Sequence, residues 1–398
     1  MVFSIPIISD TTIYENDQFL NTGIDPLCEI YKLIDNNTIY EARTLLNFNT
    51  SPIITTLDRE GLIISGSITT PINSILKMYY DKGENIPTTQ YTINAYIISQ
   101  QWQGGDSVYY INKKPVREID NTNGACWKTV AGYNSSYWIA SSSIWNTTRT
   151  TWKKDQDIWQ LTTLTGSNIT WNTNVGGGSW YTSPSASQIF TYKSSQDINM
   201  DITTIMDSLL QGIPNNGIIL MLNRDEVVSG SFKQNHLYFN SSETHEVYDP
   251  QIYIQWVDQI YNITTEYINS ITTYKDDPIL FTKYFSSQYK TDTKIRINIG
   301  CRPRYPRPLF TQHSDFIQEQ YLPQKTYYQI RDMHDGHIVI PFSEYTLIST
   351  TLEEGSYFEF YTTMLYPNHF YEYEIKIDFG NNLYKYYRYP EFSFKIID

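Results

Sequence analysis

A two-residue alternation near the C-terminal end ties this chain to strands more firmly than any other feature of it. Tyr371, Tyr373, Ile375 and Ile377 alternate with Glu372, Glu374 and Lys376. The same period recurs in Ile295, Ile297 and Ile299 against Arg296 and Asn298, and in Phe392, Phe394 and Ile396 against Ser393 and Lys395. Successive side chains on a strand point to opposite faces, so this pattern buries one face of a sheet and wets the other. On a helix it would scatter apolar groups around the whole circumference. With Tyr357-Phe358-Glu359-Phe360 added, residues 277–398 are predicted to form an immunoglobulin-like or fibronectin-like β-sandwich.

Composition agrees. With 35 Tyr, 17 Phe and 9 Trp against 18% charged residues, the chain is rich in side chains that fit a pleated, half-buried surface. Its 398 residues are too many for one core and enough for two or three. In the N-terminal part, Ile5 to Ile8, Leu27 to Leu33 and Thr44 to Phe48 are short apolar runs bounded by Asn, Asp, Gly and Pro, the spacing of a sandwich. Leu62, Ile64 and Ile68 fall on one alternating face and lead to Ile75 through Tyr80. One short helix is predicted from Ile202 to Gln211, because Ile202, Ile205, Met206, Leu209 and Leu210 recur at three and four residues. Asp201 caps its start, and Gly212 with Pro214 ends it. Gly217 to Leu222, Leu237 to Phe239 and Ile252-Ile254-Trp256 complete an all-β domain over 1–257, jelly-roll-like. A loop-rich, Trp-rich insertion occupies about 100–190, and 258–276 is a linker or connecting strand.

Within that insertion Trp138, Trp145, Trp152 and Trp159 recur every seven residues. A helical stripe is disfavoured, since Ser141-Ser142-Ser143 and Thr147 to Thr151 are poor helix formers. The rings are expected to pin the insertion onto the sandwich, or alternatively to stack on a sugar. Exposure separates the two.

No nucleophile elbow, phosphate loop, dinucleotide fingerprint, calcium loop or zinc-protease motif is present, and no catalytic residue, metal or cofactor is assigned. His334-Asp335-Gly336-His337 reads as a hairpin turn; a metal there needs at least one further ligand, which the sequence does not nominate. Gly176-Gly177-Gly178 reads as a turn. Arg302, Arg304 and Arg307 alternate with Pro303, Pro306 and Pro308 in the one concentrated basic stretch, an extended segment that reads as a solvated inter-strand loop or, alternatively, as a site for docking on an acidic partner surface. Cys28, Cys126 and Cys301 lack the paired spacing of metal sites or disulfide frameworks and read as buried thiols. A net charge of -13, from 42 acidic and 29 basic residues, disfavours nucleic acid. No long apolar stretch predicts membrane insertion, and Met1-Val2-Phe3-Ser4-Ile5-Pro6 lacks the pattern of a signal peptide, so synthesis in a cytoplasm is expected.

Three fragments, Asp10-Thr11-Thr12-Ile13-Tyr14-Glu15, Asn21-Thr22-Gly23-Ile24-Asp25 and Ala42-Arg43-Thr44-Leu45-Leu46-Asn47-Phe48, resemble the start of the DNRLRE-type β-sandwich, which is related to carbohydrate-binding modules. Asp201-Ile202-Thr203, Gly212, Asn216-Gly217 and Tyr248-Asp249-Pro250 resemble its end. The whole chain, with Gly176 to Thr182, Tyr321-Leu322-Pro323 and Ile340-Pro341-Phe342, is similar to virion structural proteins of marine myovirus-type tailed phages. That resemblance implies a non-enzymatic tail, baseplate or neck component, assembled in the host cytoplasm in several symmetric copies with other virion proteins as partners. The alternative it leaves open is a glycan- or receptor-binding module on the host-facing surface.

Overall fold

The computed structural model describes residues 1–35, 38–64, 67–81, 90–108, 110–111, 114–115, 123–132, 135–138, 151–155, 158–162, 176–191, 193–223, 235–244, 248–263, 277–305 and 320–398. The fold is all-β. It divides into two compact units, one comprising Ile5–Thr69 and Asn73–Tyr253, the other Met1–Ser4, Thr70–Ile72 and Ile254–Asp398.

The N-terminal strands are β1 (Val2–Tyr14), β2 (Leu27–Asp35), β3 (Thr38–Phe48), β4 (Asn73–Met78), β5 (Tyr80–Asp81) and β6 (Tyr91–Ile98). The hairpin β7 (Thr151–Asp155) and β8 (Ile158–Thr162) follows, then β9 (Trp180–Phe190), β10 (Ile198–Asp201), β11 (Ile218–Leu222), β12 (Asn235–Asn240) and β13 (Gln251–Gln255). An 11-stranded sheet runs β9-β6-β11-β3-β1-β13-β4-β10, with β2 joining β3 to β12 and β12 pairing β5. It curls into a near-barrel sandwich whose end strands meet through a side chain. The Gln188 amide of β9 donates to the Asp197 carbonyl at 3.1 Å and accepts from the Asn199 N–H at 2.7 Å, so one side-chain amide satisfies β10 as a peptide group of a neighbouring strand would. In β6, Tyr91, Ile93, Ala95 and Ile97 are buried and alternate with half-buried residues, whereas every residue of β11 is buried. A strand that carries Ile218-Ile219-Leu220-Met221-Leu222 and no polar alternation is covered on both faces.

Three expectations need correction. Helix α1 (Ser51–Arg59) precedes the predicted helix, so the described residues hold two α-helices and not one. It buries Ile53, Thr56 and Leu57, but its threonines and Pro52 hid the three-and-four spacing. Helix α2 (Thr203–Leu210) starts from Ile202, with the Asp201 carboxylate accepting from the Thr203 N–H at 2.9 Å. Ile63–Ile64 and Ser67–Ile68 form no single alternating strand: Ile63 pairs antiparallel with Ile68 and Ile64 with Ser67, and Ile64 is exposed. The insertion also ends before β9, which lies at the sheet's edge and exposes alternate residues, so its Thr and Ser content imitates a loop.

Lys77 of β4 sits 4.6 Å above the Tyr253 ring, and burial pushes its ammonium down from 10.5 to about 8, partly offset by Asp197. Between those values the unfolded chain holds a proton that the folded one lacks, so this group makes stability rise with pH across the window and weakens the fold below it. Lys77→Met should stabilise the protein by about 1–2 kcal/mol at neutral pH and flatten that rise, read from urea unfolding at a series of pH values.

The C-terminal unit holds β14 (Tyr261–Asn262), β15 (Pro278–Lys283), β16 (Gln288–Lys290), β17 (Lys294–Pro303), β18 (Thr326–Asp332), β19 (Ile338–Ile340), β20 (Ser349–Thr351), β21 (Gly355–Tyr361), β22 (Phe370–Asp378), β23 (Tyr384–Tyr387) and β24 (Ser393–Ile397). One sheet runs β14-β20-β21-β17-β15; the other runs β16-β24-β22-β18-β19, with β23 also on β22. With β15 as strand A, the first sheet reads D-E-B-A after β14 and the second A′-G-F-C-C′, the A′ strand β16 running parallel to β24. This is the immunoglobulin arrangement.

Aromatic rings join the sheets. Tyr328 of strand C stacks on Phe358 of strand E at 4.2 Å, where antibody domains place a Trp, and Tyr373 of strand F meets Phe358 edge-on at 5.4 Å. Cys301 of strand B is a free buried thiol, as are Cys28 and Cys126. At the corner before strand F the Tyr371 hydroxyl accepts the Tyr366 N–H at 2.8 Å, a tyrosine corner. Burial raises the Tyr371 phenol well above its ordinary range, so it stays a neutral hydroxyl. Tyr371→Phe should cost about 1–2 kcal/mol by leaving that N–H unpaired, visible as a lower unfolding midpoint with an unchanged m-value.

Candidate functional site

Arg43 of β3 lies between two tryptophan rings. Its guanidinium is 2% exposed and donates to Glu41 at 2.6 and 3.1 Å and to the Gly177 carbonyl at 2.5 Å. The Trp127 and Trp180 rings lie 4.7 and 5.2 Å from its centre. Gly177 holds φ at +82°, and a Cβ there would come within 2.5 Å of the Arg43 Nη1 and 2.8 Å of the Trp127 ring, so the glycine run is a turn that lets backbone reach a buried cation. Around it Trp102, Ala125, Trp127, Val130 and Trp138 pack on Ile13, Leu45, Ile98, Ile219 and Met221. Trp138 is 1% exposed and donates its indole N–H to the Cys126 carbonyl at 2.7 Å. Its ring pins the insertion to the sheet and offers nothing to a sugar. Trp152 and Trp159 lie on β7 and β8, opposite Leu161 and Lys154, which replaces any helical heptad with a hairpin. Trp145 lies outside the described residues.

Of the arginines, Arg302 ends β17 opposite Ile279 and is half-buried. Arg304 is paired with Asp277 at 2.5 Å, a carboxylate that Lys385 also holds at 3.1 Å; these cations keep the Asp277 carboxyl below its usual range. Arg307 lies outside the described residues. The basic stretch is therefore in part occupied within the chain.

A surface the sequence reading missed is the outer face of the sheet β19-β18-β22-β23. The alternation that buries Tyr328, Ile330, Tyr373 and Ile375 puts Tyr327, Gln329 and Arg331, then Glu372, Glu374 and Lys376, then Tyr384 and Tyr386 on the other face, where Gln329 and Glu372 are covered by their neighbours. At one end the Lys376 ammonium lies 4.7, 5.1 and 5.2 Å from the rings of Tyr327, Phe342 and Tyr384. Tyr386, 56% exposed, sits 6.0 Å from Phe342. At the other end Arg388 donates to Glu372 at 2.9 Å, while Glu374 accepts from Gln329 at 3.3 Å and lies 3.9 Å from Arg331. The charges are thus largely neutralised within the face, and the free ends of Tyr384, Tyr386 and Leu383 project from a sheet locked by its own core. Exposed tyrosines on a rigid support are what protein-binding surfaces are built from. The signal was present in the sequence as Tyr384 and Tyr386 at outward positions of a strand.

No family model and no curated protein matches the chain. Among solved structures it is distantly similar to E. coli alpha-2-macroglobulin in its native conformation, with a TM-score of 0.20 and 8% identity over 100% of this chain and 25% of that one. The chain thus spans a quarter of that protein's length. Among the described residues no helix is long and apolar enough to cross a membrane.

Proposed function

We propose that this chain is a non-enzymatic structural component of a tailed-phage virion, an accessory of the tail, baseplate or neck, present in several symmetric copies. In this reading the sandwiches are rigid docking modules, and the tyrosine-bearing outer face of the C-terminal sandwich is the surface that seats against other virion proteins. The observation that carries the docking role is that face, with Tyr384, Tyr386 and Leu383 exposed beside a cation already satisfied by rings. The resemblance of the sequence to myovirus-type virion proteins supports the particle. The glycan-binding alternative loses Trp138 as a platform, because that ring is buried.

The test is a reconstruction of the purified virion, with a parallel stock carrying Tyr384→Ala and Tyr386→Ala. Density for the immunoglobulin-like unit with this face against a neighbouring subunit, and depletion of the variant from particles by at least about tenfold, is expected, since tyrosine anchors of an interface cost 2 kcal/mol or more each. Absence of the chain from the particle overturns the virion assignment. A face turned to solvent and toward the host would replace docking with receptor binding.

A further inference from the structure

The His334-Asp335-Gly336-His337 turn lacked another ligand in the sequence, and the fold brings one to it. The turn joins β18 to β19, with Gly336 at φ +76° and the Met333 N–H bonded to the Phe370 carbonyl at 2.9 Å. That bond fixes the turn beside the first residues of strand F, where His369 precedes the strand. The His369 Nδ1 lies 2.7 Å from the Asp332 Oδ2, and the other oxygen of that buried carboxylate accepts the His334 N–H at 2.7 Å. The His334 and His369 rings meet edge-on, with centroids 6.2 Å apart and planes 66° apart.

A carboxylate on the Nδ1 of a histidine fixes its tautomer. Held at Nδ1 by the carboxylate, the ring turns Nε2 away from Asp332, and Nε2 is the atom that histidines oriented in this way offer to metals. A structural explanation accounts for Asp332, whose buried charge needs partners. It does not account for a second imidazole placed across from the first. Two imidazoles on one tetrahedral cation sit with centroids roughly 5 Å apart, given metal–nitrogen bonds of about 2 Å. His334 is exposed, so closing the remaining distance of about 1 Å needs only a turn of its side chain.

We propose that His334 and His369 form an open two-histidine site for a divalent transition-metal cation, with Asp332 as the positioning residue. Imidazole selects zinc, copper or nickel over magnesium and calcium. No group of three or more His, Cys, Asp or Glu side chains converges among the described residues, so water or a ligand from another molecule fills the remaining positions. The bound ion ties the turn after strand C to the corner before strand F.

The probe is zinc chloride, titrated into the full-length chain against a chromogenic chelator. One zinc per chain is expected, with affinity falling at least about tenfold in His334→Gln and in His369→Gln. His334 is exposed, whereas His369 is half-buried against Tyr371 and Asp332, so circular dichroism of each variant checks that it is folded. A third variant, His337→Gln, should bind as the parent does, since its ring is not part of the pair. Failure of the folded parent to compete with the chelator overturns the proposal, as does binding that survives in the His334→Gln/His369→Gln double variant, which would assign the metal to other histidines.

Discussion

Replacing Arg43 with Ala is expected to destabilise the N-terminal unit by about 3–5 kcal/mol, the range seen when one partner of a buried ion pair is removed. Three losses act together. Glu41, 7% exposed, keeps a charge without the guanidinium that neutralised it; the Gly177 carbonyl loses its donor; and the Trp127 and Trp180 rings close on a void. The Lys32 ammonium, 3.8 Å from the other Glu41 oxygen, softens the first loss and cannot reach the other two. Arg43→Lys should recover little, because a single ammonium cannot donate to Glu41 and Gly177 at once while lying flat between two rings. Urea unfolding followed by tryptophan fluorescence reads the change directly. A loss under 1 kcal/mol for Arg43→Ala would mean that the pair is not a structural centre.

Trp138→Ala should cost a similar amount, about 3–5 kcal/mol for a fully buried indole. The consequences should be local first. Without that ring the Cys126 carbonyl loses its donor, and the segment around residues 123–138 loses the contact that holds it to the sheet. Limited proteolysis should then cut near this segment in the variant and not in the parent. If the variant is as stable as the parent and as resistant to protease, the pinning role fails and the ligand-stacking reading of this ring returns.

The strands of the C-terminal sandwich were legible because each is amphipathic by itself: the period of Ile295 to Ile299 or Tyr371 to Ile377 is set by which neighbours each side chain must meet. Strand β11 was legible for the opposite reason, being apolar throughout. Strand β9 was not, because an edge strand need not alternate apolar with polar residues, and its serines and threonines carry the signal of a loop. Helix α1 was hidden by Pro52 and its threonines, whose propensity argues against the helix that three buried contacts enforce. The pinning role of Trp138 was one of two readings open in the sequence, and only the burial of its ring separates them. The partners of Arg43 could not, since Gly177 is 134 positions away and nothing local distinguishes an arginine in a strand that will be buried from one that will not. The same limit separated His369 from the turn it faces.

Because stacked rings and a tyrosine corner take the place of a cross-link between the sheets, the immunoglobulin-like unit has no bond for glutathione to reduce or for oxygen to complete. The chain's three cysteines are sealed in the interiors of their units and cannot scramble. The same conformation therefore holds under reducing and oxidising conditions, and its melting temperature should be identical with and without dithiothreitol.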